Sequence, residues 1–203
     1  HGGEHGTFSS RRVERLMPLV AKGWVVVAPD YRGSSGYGKR FYDAADYGGL
    51  EIDDALAVRD WIETTGLADG DRIAVMGSSH GGYNALMAVV RRPGGFAGCV
   101  DFYGPTDLVY RVTSTPEENP NAAPGDPEKF AKMVGATIED DENAYRERSP
   151  RFVADRMDAP ILIVHGTEDG VVRIVESEWL VEALQDAQHL SLIHISEPTR
   201  PSV

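Results

Sequence analysis

Three glycines in six residues, Gly77-Ser78-Ser79-His80-Gly81-Gly82, separate the apolar run Arg72-Ile73-Ala74-Val75-Met76 from a second apolar stretch that continues to Arg92. Glycine lets backbones approach where a Cβ would not fit, so this spacing predicts a strand that passes through one tight turn directly into a helix. The same strand-then-helix rhythm recurs along the chain. Trp24-Val25-Val26-Val27-Ala28, ended by Pro29, reads as a buried strand, as do residues 97–102 and 160–164. Helices are expected over residues 12–22 after the Ser9-Ser10 cap, 50–64, 82–92 stopped by Pro93, and 175–188. Short buried strands alternating with helices imply a parallel sheet with crossover helices. In the 50–64 stretch Ile52, Ala55, Leu56, Val58 and Ile62 share one side, while Glu51, Asp53, Asp54 and Asp60 fall mostly on the other. That is the pattern of an amphipathic helix resting on a sheet.

Charge narrows the partners. Twenty Lys plus Arg against 32 Asp plus Glu leave a formal charge of -12, which repels phosphate backbones and anionic membranes, so neither nucleic acid nor a membrane is an expected partner. The 41% hydrophobic residues are enough for a core, and no run of about 18 apolar residues suggests a span. The one cysteine, Cys99, leaves no internal disulfide and permits a reducing compartment, so a cytoplasmic location is the expectation. No Cys/His cluster has metal-ligand spacing; His1 and His5 share a glycine-rich loop with no carboxylate at that spacing, and neither a metal nor another cofactor is called for.

The glycine run also carries chemistry. In Gly-x-Ser-x-Gly between strand and helix, the serine is pushed outward at the strand's carboxyl end, which makes Ser79 a candidate nucleophile. The next backbone N–H, from His80, points with the helix N-terminus at negative charge forming beside the serine oxygen. His165-Gly166-Thr167-Glu168-Asp169 follows the 160–164 strand, and a carboxylate on the loop after a late strand is where a triad acid belongs. Asp169 is the choice over Glu168, with an Asx turn at Gly170 as the alternative reading. Residues 105–150, rich in proline and acid with one helical patch near Phe130–Val134, read as an excursion over the sheet that either covers substrate or merely connects.

Four motifs together resemble the prolyl oligopeptidase family of serine peptidases: Gly77–Gly82 with Tyr83, Asp30-Tyr31-Arg32-Gly33-Ser34-Ser35-Gly36-Tyr37-Gly38, Tyr103-Gly104-Pro105-Thr106-Asp107-Leu108, and His165-Gly166-x-x-Asp169. The similarity runs from His1 to about His189. It implies an α/β-hydrolase fold, Ser79 as nucleophile, Asp169 as triad acid, and the backbone N–H groups of Gly3 and His80 as oxyanion donors. A short peptide is then the expected substrate, cleaved through an acyl-enzyme. An ester substrate on the same fold, or a noncatalytic binding protein of that fold, are the alternatives, and a β-propeller preceding the hydrolase domain would favour the peptidase. Arg32 is expected to act as a structural ion-pair partner rather than a substrate contact.

A serine needs an imidazole to remove its proton, and the resemblance places that histidine in a loop after the last strand. His189 closes a helix and His194 sits inside the strand-like run Leu190–Ile195, so neither is assigned as the base. Leu190 to Arg200 matches, residue for residue, the translation of a common transposase sequencing adapter. Residues 1–189 are therefore read as a piece of the catalytic domain and residues 190–203 as a tail outside functional reasoning. On this reading the fold lacks its first strands and the last strand with the catalytic histidine. The strand that would lie between residues 24–28 and 72–76 is absent, those two should stand about 10 Å apart, twice the inter-strand spacing, and the isolated piece should be insoluble or molten.

Overall fold

A computed structural model describes residues 1–115, 127–189 and 191–196. Four parallel strands, β1 (Ala74–Ser78), β2 (Gly98–Phe102), β3 (Ile161–Gly166) and β4 (Ser191–Ser196), form one sheet in the order β1-β2-β3-β4. Val75 stands opposite Cys99, and Cys99 opposite Ile161, so the carboxyl ends of the strands share one edge. The expected strands at 72–76, 97–102 and 160–164 are these first three, with β1 continuing through Gly77 to Ser78.

The helices before the sheet are α1 (Ser10–Glu14), α2 (Met17–Ala21), α3 (Lys39–Tyr42) and α4 (Leu50–Thr65). The helix expected over 12–22 is two short ones, because Pro18 in the first turn of α2 lacks the N–H that would continue the first. Helix α4 begins where the Asp46 carboxylate accepts the amides of Leu50 and Glu51, and ends at Gly66 in the left-handed conformation. Helix α5 (His80–Arg91) is the centre of the molecule: residues 80–90 are all buried, as expected of a helix apolar on every side. Leu86, Val89, Ile163, Leu180 and Leu184 are almost fully enclosed, each burial worth about 1.5–3 kcal/mol.

The excursion holds α6 (Leu108–Thr113), α7 (Pro127–Val134) and α8 (Glu142–Glu147), followed by a 3-10 segment (Pro150–Arg156) and, after β3, by α9 (Ile174–Asp186). Residues 116–126 of the excursion lie outside the described residues. It is more than a solvated connection: Leu108, Phe130, Val134 and Tyr145 join the main core.

Three expectations need correction. Trp24–Ala28 is not a strand; it runs without a ladder partner, and Trp24 and Val25 are each half exposed. β-branched residues favour an extended backbone, but a strand needs a neighbour to receive its N–H and C=O groups. It is not hydrogen-bonded to β1, whose ladder partner is β2. Residues 191–196 do take a place in the fold, as β4 parallel to β3, with Ile193 packed against the core. An alternating aliphatic run satisfies an open sheet edge whatever its origin. Residues 190 and 197–203 lie outside the described residues. Thirdly, Glu51 is not on the solvent side of α4 but fully buried.

Candidate active site

Ser79 is the hinge between β1 and α5. Its φ of +54° and ψ of −124° place a serine where L-residues rarely go, a strain of order 1–3 kcal/mol that the surrounding packing must hold. The reason is on either side of it. A Cβ at Gly77 would overlap the Gly81 carbonyl, and one at Gly82 would overlap the Asp101 carboxylate, so strand and helix meet at backbone distance only because both are glycine. Ser79 N–H donates to Phe102 O at 2.8 Å, and Tyr83 N–H donates to Ser79 O at 3.0 Å as the helix begins. The Ser79 hydroxyl makes no capping bond to the helix, which leaves it for other chemistry. His80 is the first helical residue, so its N–H has no intrahelical acceptor.

The His1-Gly2-Gly3 loop lies directly against this turn. A Cβ on Gly2 would stand 3.2 Å from Ser78 O and 3.3 Å from Ser79 Cβ, and one on Gly81 would stand 2.7 Å from His1 O. Gly3 itself has φ +75°. The loop is held by side chains from the Asp30–Gly38 run. The Tyr31 hydroxyl reaches His1 O at 2.8 Å and Gly3 O at 3.2 Å, and the His1 ring stacks on the Tyr31 ring. Burial, with Glu51 nearby, pushes the Tyr31 phenol far above its usual value, so it remains a donor. Asp30 accepts from Thr7 Oγ1, Phe8 N–H and Tyr37 OH, at 2.8, 2.8 and 2.7 Å, and lies 3.3 Å from His1 Nε2. Arg32 makes a two-pronged contact with Asp54 of α4, at 2.8 and 2.7 Å, the structural ion pair the sequence suggested.

Asp169 lies in the turn after β3. Its Oδ1 accepts from Val171 N–H at 2.8 Å and Val172 N–H at 3.0 Å, and its Oδ2 is 3.7 Å from His165 Nε2. The Asx turn at Gly170 is therefore present, closed by the Val171 N–H, and it engages one carboxylate oxygen only. His165 is buried between Ser177 Oγ at 2.7 Å and Val172 O at 2.9 Å and braces this turn from below. Ser79 follows β1 and Asp169 lies in the turn after β3, at the carboxyl ends of two strands that are separated by β2 and so stand two strand spacings, about 10 Å, apart. Of the four candidates, Ser79, His80 and Gly3 are thus brought to one corner, whereas Asp169 stands beyond a strand two places away in the sheet, its carboxylate contacts lying within its own turn.

Two carboxylates here escaped the sequence reading. Asp101 on β2 is fully buried beneath the turn, with Oδ1 accepting Gly104 N–H at 2.9 Å. Burial pushes it up to about 7, against the opposing effect of the Gly104 amide. The signal was an acid inside the apolar run Cys99–Phe102. Glu176 on α9 accepts the amides of Thr106 and Asp107 and pairs with Arg111; burial raises its carboxyl. Among the described residues no group of three or more His, Cys, Asp or Glu could hold a metal ion, and no helix is long and apolar enough to cross a membrane.

A strained serine on a glycine-lined strand–helix turn, with a second glycine loop against it, is the geometry of an α/β-hydrolase, and a model of the prolyl oligopeptidase family matches residues 10–199. The chain belongs to the prolyl oligopeptidase family. It is 35% identical over 184 residues to dipeptidyl peptidase family member 6 of Caenorhabditis elegans, covering 89% of this chain and 24% of that protein. It is 32% identical over 183 residues to dipeptidyl aminopeptidase BIII of Pseudoxanthomonas mexicana, covering 89% of this chain and 26% of that protein. The fold superposes on a puromycin-hydrolyzing peptidase of Mycobacterium tuberculosis with a TM-score of 0.85 and 28% identity, over 97% of this chain and 29% of that one. The chain thus spans about a quarter of the length of the curated relatives it matches. The family match begins downstream of His1-Gly2-Gly3, so the placement of that loop rests on its contacts with Ser79.

Proposed function

We propose that this family member is a serine peptidase acting by acyl transfer on short peptides. Ser79 Oγ attacks the scissile carbonyl, the oxyanion is received by the Gly3 and His80 amides, the amine leaves with the proton taken from Ser79, and water releases the acyl group. Asp169, through its unturned Oδ2, orients the imidazole that shuttles the proton. That imidazole is assigned to none of the chain's own six histidines. His1, His5, His80 and His165 are engaged with Ser34, Gly33 O, Glu51 and Ser177 respectively, His189 closes α9, and His194 is exposed in the middle of β4. The names of the relatives, dipeptidyl and aminopeptidases, support peptide over ester substrates.

The observation that carries the proposal is the approach of Gly2 to Ser79, close enough that a Cβ on Gly2 would stand 3.3 Å from Ser79 Cβ. The test is labelling by a fluorophosphonate probe in a polypeptide as long as the relatives. Ser79 should be labelled and Ser79→Ala should abolish both labelling and turnover, a loss of roughly 10⁴- to 10⁶-fold. Absence of labelling in the unmodified protein would leave a binding role instead.

A further inference from the structure

The residue that follows the nucleophile has a side chain as well as an amide. The His80 ring is 3% exposed and its Nε2 lies 3.0 Å from Oε1 of Glu51, which is not exposed at all. The contact is close but off the N–H direction, so His80 Nδ1 and Nε2 and Glu51 Oε2 have no hydrogen-bond partner among the described residues. Glu51 Oε1 also accepts Gly48 N–H at 2.9 Å, which fixes the turn that presents Tyr47. Tyr47 meets the His80 ring edge-on at 4.4 Å, and Tyr83 and Tyr31 flank it at 5.6 and 5.7 Å. Tyr31 is the residue whose hydroxyl holds the carbonyls of His1 and Gly3. One imidazole therefore touches both halves of the oxyanion site: its own peptide amide is one donor, and its ring packs against the tyrosine that secures the loop bearing the other.

A buried carboxylate–imidazole pair with orphaned atoms is a poor way to stabilise a core, since apolar residues of similar volume usually serve as well or better. Its placement has to be accounted for by what it orients. We propose that Glu51 is a positioning residue: it holds the His80 imidazole in the tyrosine cage and thereby sets the two oxyanion amides, Gly3 and His80, at one distance from Ser79. This rests on the serine-peptidase reading above. The effect is on the charged transition state and not on substrate affinity, because those amides meet full negative charge only once the tetrahedral oxygen forms.

The experiment compares Glu51→Ala, Glu51→Gln, His80→Ala and the double variant Glu51→Ala/His80→Ala, with active sites counted by fluorophosphonate titration. For Glu51→Ala, kcat per titrated site should fall about 10- to 100-fold with KM within twofold, and affinity for a peptidyl boronate should weaken by the same factor. Glu51→Gln, which keeps an accepting oxygen for Gly48 and His80, should recover part of the loss. The double variant should be no worse than His80→Ala, since the carboxylate acts through the ring. Should Glu51→Ala fail to fold, Glu51→Gln carries the test, with kcat lowered about 3- to 10-fold at unchanged KM. Unchanged kcat per site in the folded variants, a loss confined to thermal stability, or additive effects in the double variant would overturn the role of Glu51 while leaving the peptidase reading intact. An unlabelled wild-type protein would overturn both.

Discussion

The two glycine-bearing segments that meet at Ser79 are held in place by different physics. The turn at Gly77–Gly82 is part of a strand and a helix, and what secures it is backbone packing: glycines at van der Waals contact, a ladder to β2, and eleven consecutive buried residues in α5. The His1-Gly2-Gly3 loop belongs to no regular element, and what secures it is a set of polar side chains, Tyr31, Asp30 and Ser34, from a second irregular segment. Steric support fails abruptly when a methyl is added. Hydrogen-bonded support loosens by degrees, one bond at a time. A corner built from both has a rigidly held serine and a neighbouring loop that is open to adjustment.

The sharpest way to break the comparison is Gly77→Ala. Its Cβ has nowhere to go except into the Gly81 carbonyl, so several kcal/mol of stability and all labelling of Ser79 should be lost; a cooperative thermal transition at the wild-type midpoint would show that the elbow is not sterically locked. Tyr31→Phe probes the other side. It removes the Tyr31 donor from His1 O and leaves Gly3 O with the Gly6 N–H alone, at a cost of about 1–3 kcal/mol, and kcat is expected to drop roughly tenfold, with KM and the Ser79 labelling stoichiometry retained.

Asp101→Asn separates the two supports by pH. Burial raises the Asp101 carboxyl to about 7 in the fold from its ordinary value of 3.8, so the native state holds its proton more tightly than the unfolded chain does. Stability contributed by that proton is full below about 4 and is lost as pH rises toward 7. Midpoints of thermal unfolding recorded between pH 4 and 7 should therefore fall less steeply in Asp101→Asn than in the wild type, and parallel slopes would refute the assignment. The smallest effect is expected from Asp54→Asn, which weakens the partly exposed pair with Arg32 by no more than about 1 kcal/mol; chemical denaturation would detect it, and salt should diminish it.

Much of the central layer was legible because its signals are local. Gly77, Gly81 and Gly82 declared a turn that only glycine fits, and the runs at 160–164 and 97–102 were short, apolar and bounded by turn residues, becoming strands at Ile161–Gly166 and Gly98–Phe102. Trp24–Ala28 carried the same signal and did not become a strand, because strand propensity describes half of a ladder and the other half is supplied by another segment. Residues 191–196 show the converse, gaining a place in the sheet beside β3. In the candidate site, motif and chain order singled out Ser79 and Asp169, which lie just beyond β1 and β3, whereas Glu51 was misplaced on the polar side of α4. A helical wheel records which residues share a face; it does not record that the first turn of α4 lies over the start of α5.

By itself the sequence determined the strand–turn–helix around Ser79, the parallel order of the elements that follow it and the family to which the motifs point, since each depends on steric and periodic constraints within a few residues. Only the tertiary structure decided that Tyr31 and Asp30 clamp the His-Gly-Gly loop, that Asp101 lies beneath the elbow and that Glu51 turns inward to His80. Those outcomes depend on which distant segments share a desolvated space, and burial of a charge is a property of that space, not of the residue.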